Sequence, residues 1–159
     1  MRHAVLLFIG LLTACAPTTS RTTTTAAVVQ PRESVAAHDQ SEAIGSILSG
    51  DPHRALELTN AEKRESAWRD YVRGVALADL KRPDDAAEAF DAAARLFLYT
   101  PDGAHGRSIA IWAKARAYHD AYRCDDAAAA YRAYAAFVGA SHPDDAAMAL
   151  DYARDCMPR

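Results

Sequence analysis

The chain has almost no net charge, few cysteines and no apolar run long enough to cross a bilayer. A formal charge of −3 over 159 residues makes no electrostatic case for binding nucleic acid. The three cysteines (Cys15, Cys124 and Cys156) do not stand beside any of the six histidines at zinc-site spacing, and no His-x3-His pair occurs. No Gly-x-Ser-x-Gly elbow, glycine-rich phosphate loop or metalloprotease helix is present. The one suggestive pair is His119-Asp120, and Asp79 fills the equivalent place upstream without a histidine, as a solvated helix face would allow. No enzyme activity, cofactor or metal is therefore expected. The run from Ala4 to Leu12 is nine residues, where a spanning helix needs about 20. Later apolar stretches such as "AAAAYRAYAAFVGA" are interrupted by charge or built of alanine.

What is present begins with "MRHAVLLFIGLLTAC": a basic start at Arg2, an apolar run, then small residues before a cysteine. This pattern reads as a secretory signal over residues 1–14. Leu12-Thr13-Ala14-Cys15 resembles the lipobox of bacterial lipoproteins. The resemblance implies cleavage before Cys15, thioether lipidation of Cys15 and acylation (such as palmitate) of the new terminus. The alternative is an ordinary signal peptide with an incidental cysteine. Several acyl chains hold far better than one, since each buried CH₂ contributes roughly 0.8 kcal/mol. In two-membrane bacteria the absence of Asp after the lipidated Cys favours the outer membrane, and Ala16 stands there. The Thr-rich segment that follows, with Pro17 and Pro31, has no helical period and reads as a disordered linker over residues 15–37.

The remainder repeats itself. "RPDDAAEAF" from Arg82, "RCDDAAAAY" from Arg123 and "HPDDAAMAL" from His142 are near copies. A shift of 41 residues overlays the first two and their surroundings: Ala76 on Ala117, Asp79 on Asp120, Phe90 on Tyr131. The third copy starts only 19 residues after the second and is half a unit. Each unit reads as two helices. The first pair is expected over 61–80, capped by Asn60 with Trp68, Tyr71, Val75 and Ala78 inward, and over 83–97 with Ala86, Phe90, Ala93, Ala94 and Phe97 inward. The second is expected over 106–122, with Ile111, Ala115, Tyr118 and Tyr122 inward, and over 124–138, with Ala127, Tyr131, Tyr134 and Val138 inward. A last helix over 143–156 is expected to bury Ala146, Ala147, Leu150 and Ala153. Residues 38–66 read as a shorter, degenerate helical hairpin turning at Gly50-Asp51.

The triplicated acids follow from helix physics. Proline suits the first helical position, where its missing N–H costs nothing. Two Asp residues in the first turn meet the positive end of the helix dipole, each contributing about 0.3–1 kcal/mol. Two alanines then let neighbouring helices approach closely. A periodic pair of this kind is a poor candidate for catalytic carboxylates.

The spacing of small, aromatic and alanine positions resembles the tetratricopeptide repeat: Gly74, Leu77, Ala86, Phe90 and Ala93, then Ala115, Tyr118, Ala127, Tyr131 and Tyr134. The family's first-helix Trp and Leu are replaced by Asp70 and Arg73, and by Ile111 and Lys114. The resemblance implies an all-α fold: a short helical-hairpin solenoid of about seven helices, with two units over 67–141 and a capping helix over 142–159. More loosely, the chain resembles periplasmic repeat lipoproteins of barrel assembly, cell-division coordination or secretin piloting.

Such repeats build surfaces, with first helices lining a concave groove. That register presents Trp68, Tyr71, Val75 and Asp79, then Ile109, Trp112, Arg116, His119 and Asp120. Tyr71 and Trp112 are either core aromatics or anchors for a protein or peptide partner. A membrane-tethered interaction module is the first expectation, and a structural subunit of an envelope assembly is the second. Once Cys15 carries lipid, two cysteines remain in an exported chain. Helices of about 21 and 20 Å running antiparallel place the start of one beside the end of the other. A Cys124–Cys156 disulfide is therefore expected.

Overall fold

The computed structural model describes residues 33–101 and 103–156, with side chains from residue 41. The signal segment, Cys15 and most of the linker lie outside the described residues. Those described form seven helices and no strand: α1 (Glu33–Leu48), α2 (Pro52–Ala61), α3 (Ala67–Asp79), α4 (Pro83–Phe97), α5 (Gly103–Asp120), α6 (Cys124–Val138) and α7 (Pro143–Asp155). Each packs on its neighbours in the chain, and α1 also meets α3, as α3 meets α5. This is an array of helical hairpins. None of these helices is long and apolar enough to cross a membrane.

Three hairpins close by one device. Gly50, Lys81 and Tyr122 all adopt positive φ, at 79°, 60° and 58°. The next residue's N–H reaches back to a carbonyl five positions earlier: Asp51 to Ser46 at 2.8 Å, Arg82 to Leu77 at 2.9 Å, Arg123 to Tyr118 at 2.9 Å. The left-handed residue itself bonds three positions back, which completes a Schellman cap each time. The hairpin from residues 38–66 thus shares its turn with the two clearer units, although α1 starts at Glu33, inside the segment read as linker. The α6–α7 turn differs: Ser141 and His142 both bond to the Val138 carbonyl, and no residue there has positive φ.

The 41-residue repeat holds at the level of single side chains. The buried residues of α4 are Ala86, Ala87, Ala89, Phe90, Ala93, Ala94 and Phe97. Those of α6 are Ala127, Ala128, Ala130, Tyr131, Tyr134, Ala135 and Val138, each its counterpart 41 residues on. Phe90, Phe97 and Tyr131 are the largest fully buried side chains and carry much of the core, at about 1.5–3 kcal/mol each on full burial. Alanine elsewhere keeps the helices close. Closeness is exacting at Gly74, where an added Cβ would lie 2.6 Å from the Phe90 ring.

The Asp pairs have partners beyond the helix dipole. Arg82 bonds Asp85 at 2.6 Å, and Arg123 bonds Asp126 at 2.6 Å, each closing the first turn of its helix. Arg123 also reaches Asp84 at 2.5 Å, tying the start of α6 to the start of α4.

Several expectations are corrected. The helix expected over 61–80 begins at Ala67, because α2 runs through Asn60 to Ala61 and the cap is Ser66, whose hydroxyl accepts from the Arg69 N–H at 3.1 Å. Helix α3 buries Ala67, Asp70, Val72, Gly74, Ala76 and Leu77, while the expected Tyr71, Val75 and Ala78 are half-buried and Trp68 is exposed. Asp70 is 5% exposed and takes Arg69 Nη2 at 2.6 Å and Nε at 2.9 Å. Arg69 further donates to the Arg64 carbonyl at 3.0 Å, which fastens the α2–α3 connection. Helix α5 begins at Gly103, not 106, and ends before Tyr122, which is 91% exposed because it occupies the left-handed turn position. On α7, Ala153 is buried as expected, but Ala147 and Leu150 are exposed and Ala149 is buried instead.

Candidate functional site

A cleft of about 910 Å³ opens between α3, α5, the end of α6 and the start of α7. Its position follows from hairpin alternation: α3, α5 and α7 stand on one side of the array. Tyr71 of α3 forms one wall. The first three turns of α5 form the floor, with His105, Ser108, Ile109 and Trp112. Tyr134, Phe137 and Val138 of α6 close the far side, and His142 before α7 with Asp145 and Met148 on it make the rim.

The aromatic walls are fixed by packing. Trp112 meets Tyr131, Tyr134 and Tyr152 edge-on, with centroids 5.2, 5.0 and 5.6 Å apart. Edge-to-face pairs of this kind contribute about 0.5–1.5 kcal/mol beyond area burial, so the indole is held rather than free to swing. Tyr71 packs on Phe90 at 5.7 Å and on Trp68 at 5.7 Å. Burial pushes the Tyr71 phenol up from its ordinary pKa. Tyr134 is raised as well, first by burial and then by the nearby Asp145 charge. Both phenols remain neutral donors at physiological pH.

Of the nine groove residues expected from sequence, Tyr71, Ile109 and Trp112 line this cleft and six, Val75 among them, do not. Trp68 is 43% exposed and lies edge-on against Phe97 at 5.1 Å. Asp79 is exposed at the end of α3. Arg116, His119 and Asp120 gather at the other end of α5. There Arg116 meets Asp120 at 3.5 Å, and His119 Nδ1 stands 3.5 Å from the Tyr131 hydroxyl. That hydroxyl is deeply set, and burial pushes its pKa up to about 12. Tyr71 and Trp112 serve as both core and wall, so the two readings of them meet in one geometry.

Sequence reasoning did not single out His105, which precedes the expected helix start at Gly106, or Ser108, which lies on that helix outside the expected inward stripe. In the structure Gly106 sits against the Phe97 ring, where a Cβ would overlap it, so that glycine serves a close helix crossing. Cys124 and Cys156 are joined as a disulfide, with Cα atoms 5.0 Å apart, at the opposite end of the α6–α7 hairpin from the cleft rim. Among the described residues no group of three or more His, Cys, Asp or Glu is placed to hold a metal.

Comparison with family models, curated proteins and solved structures finds no match to this chain. The cleft's function therefore has to be argued from its own chemistry.

Proposed function

We propose that this protein is a membrane-anchored interaction module, a tetratricopeptide-like lipoprotein whose cleft takes a protein or peptide partner. The observation that carries the proposal is the cleft itself: about 910 Å³, open along its length, walled by Tyr71, Trp112, Tyr134 and Phe137. Aromatic side chains held rigid by packing lose little entropy when a partner lands on them and dominate binding energy. Cys15, acylated on the periplasmic face of the outer membrane, supplies the anchor in this reading, and the Thr-rich segment supplies reach.

A photo-crosslinker placed at Ser108 tests it in cells. The expected result is a discrete adduct that disappears in Ile109→Arg while thermal unfolding stays unchanged. An adduct indifferent to Ile109→Arg would count against the cleft. Lipidation is tested separately by alkyne fatty-acid labelling, which should mark the wild type and not Cys15→Ser.

A second reading has its own support. On α7, Leu150 is 41% exposed and Ala147 is exposed on the side away from the cleft-facing Met148. An assembly subunit would dock by this outer face of α7. Leu150→Arg would then abolish the adduct that Ile109→Arg spares.

A further inference from the structure

A second, smaller cavity of about 250 Å³ lies between α4, α5 and α6, away from the cleft. Leu98, Ile111 and alanines of α4 and α6 give it an apolar lining. Its charged groups are Arg95, Arg107 and Lys114 against a single carboxylate, Asp91. Two positive charges are thus in excess here, on a chain whose formal charge is −3. Asp91 is already engaged by Lys114 Nζ at 2.7 Å. Neither arginine has a carboxylate partner among the described residues. The Arg107 guanidinium lies over the Phe137 ring, 4.8 Å from its centroid, which orients it without neutralising it.

Unpaired guanidinium groups beside apolar walls specify an anion with an apolar body. Guanidinium matches planar oxyanions through paired N–H donors. Two features favour a carboxylate over a phosphate. Arg95 lies in the last turn of α4, where helix carbonyls carry negative partial charge and oppose a dianion. The cavity also lies just below the size range of about 300–1,000 Å³ usual for small-molecule sites, so a compact monoanion suits it better. We propose that this cavity binds a small amphipathic carboxylate, a free acid with a short acyl or comparable apolar body, through Arg95 and Arg107. The carboxylate sits between the two guanidinium groups, and the apolar body lies along Leu98 and Ile111.

Octanoate is the probe, titrated into the purified protein and followed by calorimetry and by the Ile111 methyl resonances. Acetate, octanamide and inorganic phosphate serve as comparisons for the missing tail, the missing charge and the wrong anion. Saturable octanoate binding is expected, with at least about tenfold weaker binding of all three comparisons. Arg95→Gln, on an exposed position, should weaken octanoate about tenfold, and Arg107→Gln likewise. Because Arg107 also covers Phe137, Arg107→Lys is included: it keeps the charge and should restore part of the affinity. Equal binding of octanamide or phosphate would overturn the proposal. So would affinity unchanged by both Gln variants, or shifts confined to the cleft of α3, α5 and α7.

Discussion

Reducing the Cys124–Cys156 bridge should loosen one end of the molecule in a defined order. The two cysteines are 32 positions apart, so the bridge closes a loop of 33 residues counting both ends. In the chain-entropy model such a loop removes about 12.5 cal/mol/K from the unfolded chain, or about 3.7 kcal/mol at 25 °C. The bridge has unusual leverage here because α7 packs closely along α6 and otherwise reaches α5 through Tyr152, while every inner helix has neighbours on both sides. Cys156 is also 8% exposed and lies in the same core cluster as Ala149, Ala153 and Tyr131, so it contributes packing that serine would not. Urea unfolding of oxidised protein, reduced protein and the Cys124→Ser/Cys156→Ser variant measures the loss. Both altered forms should lose about 3–4 kcal/mol, on the order of 10–15 °C in melting temperature. Hydrogen exchange should show α7 losing protection before α6, and α3–α4 last. Two reactive thiols in denatured, unreduced protein lacking Cys15 would refute the bridge. An unchanged midpoint after verified reduction would refute the entropy argument.

Three other perturbations have signed outcomes. Gly74→Ala drives a methyl to 2.6 Å from the Phe90 ring and should cost about 1–3 kcal/mol by denaturant unfolding, with partial recovery in Gly74→Ala/Phe90→Leu. Tyr122→Gly should stabilise by roughly 0.5–1 kcal/mol in the same assay: the residue is 91% exposed and held at φ 58°, so the change removes strain and little packing. The Tyr131 phenol, raised from 10.0 to about 12 by burial, binds its proton more tightly folded than unfolded. Its contribution is therefore intact below pH 10 and lost as pH rises from about 10 to 12, a fall in stability that Tyr131→Phe should reduce.

How much of this was legible in the sequence depended on whether burial followed hydrophobicity. In α4 and α6 it did. Proline or cysteine, two acids and an alanine run fixed both ends and the inward face, and the expected bounds 83–97 and 124–138 match the helices. In α3 it did not. The buried face includes Asp70 and Gly74, two residue types that pattern reading assigns to the outside. Asp70 is tolerated there because Arg69, the adjacent residue, curls back to neutralise it, and Gly74 because the Phe90 ring fills its place. A neighbour's conformation is not written in periodicity, so the apolar stripe Trp68, Tyr71 and Val75 took the inward role on paper while sitting at the margin of the core in the fold. The same error extended the groove along the whole of α5. The cleft uses only its first half, and Arg116, His119 and Asp120 lie past the point where α7 leans in.

The third copy of the acidic motif carries the sharper lesson, because identical letters there do different structural work. In α4 and α6 the motif opens the second helix of a hairpin, directly after a left-handed turn residue. In α7 it opens the helix after a hairpin, across a turn with another bonding pattern, and this helix packs along α6 with only Tyr152 reaching α5. The sequence pattern assigns Ala146, Ala147, Leu150 and Ala153 to the core. The structure buries Ala153 as expected and half-buries Ala146, leaves Ala147 and Leu150 exposed, and adds Ala149 and Cys156, so the helix meets α6 with its smallest side chains and the disulfide closes at its end. Residues that start a helix act through its dipole and its first turn, which are local. The face a helix buries is set by where its neighbours stand, which is not. The motif therefore specifies a helix start three times and the full packing face only twice: Ala147 and Leu150, the counterparts of Ala87 and Phe90, stay exposed on α7, where among the described residues no further helix covers them.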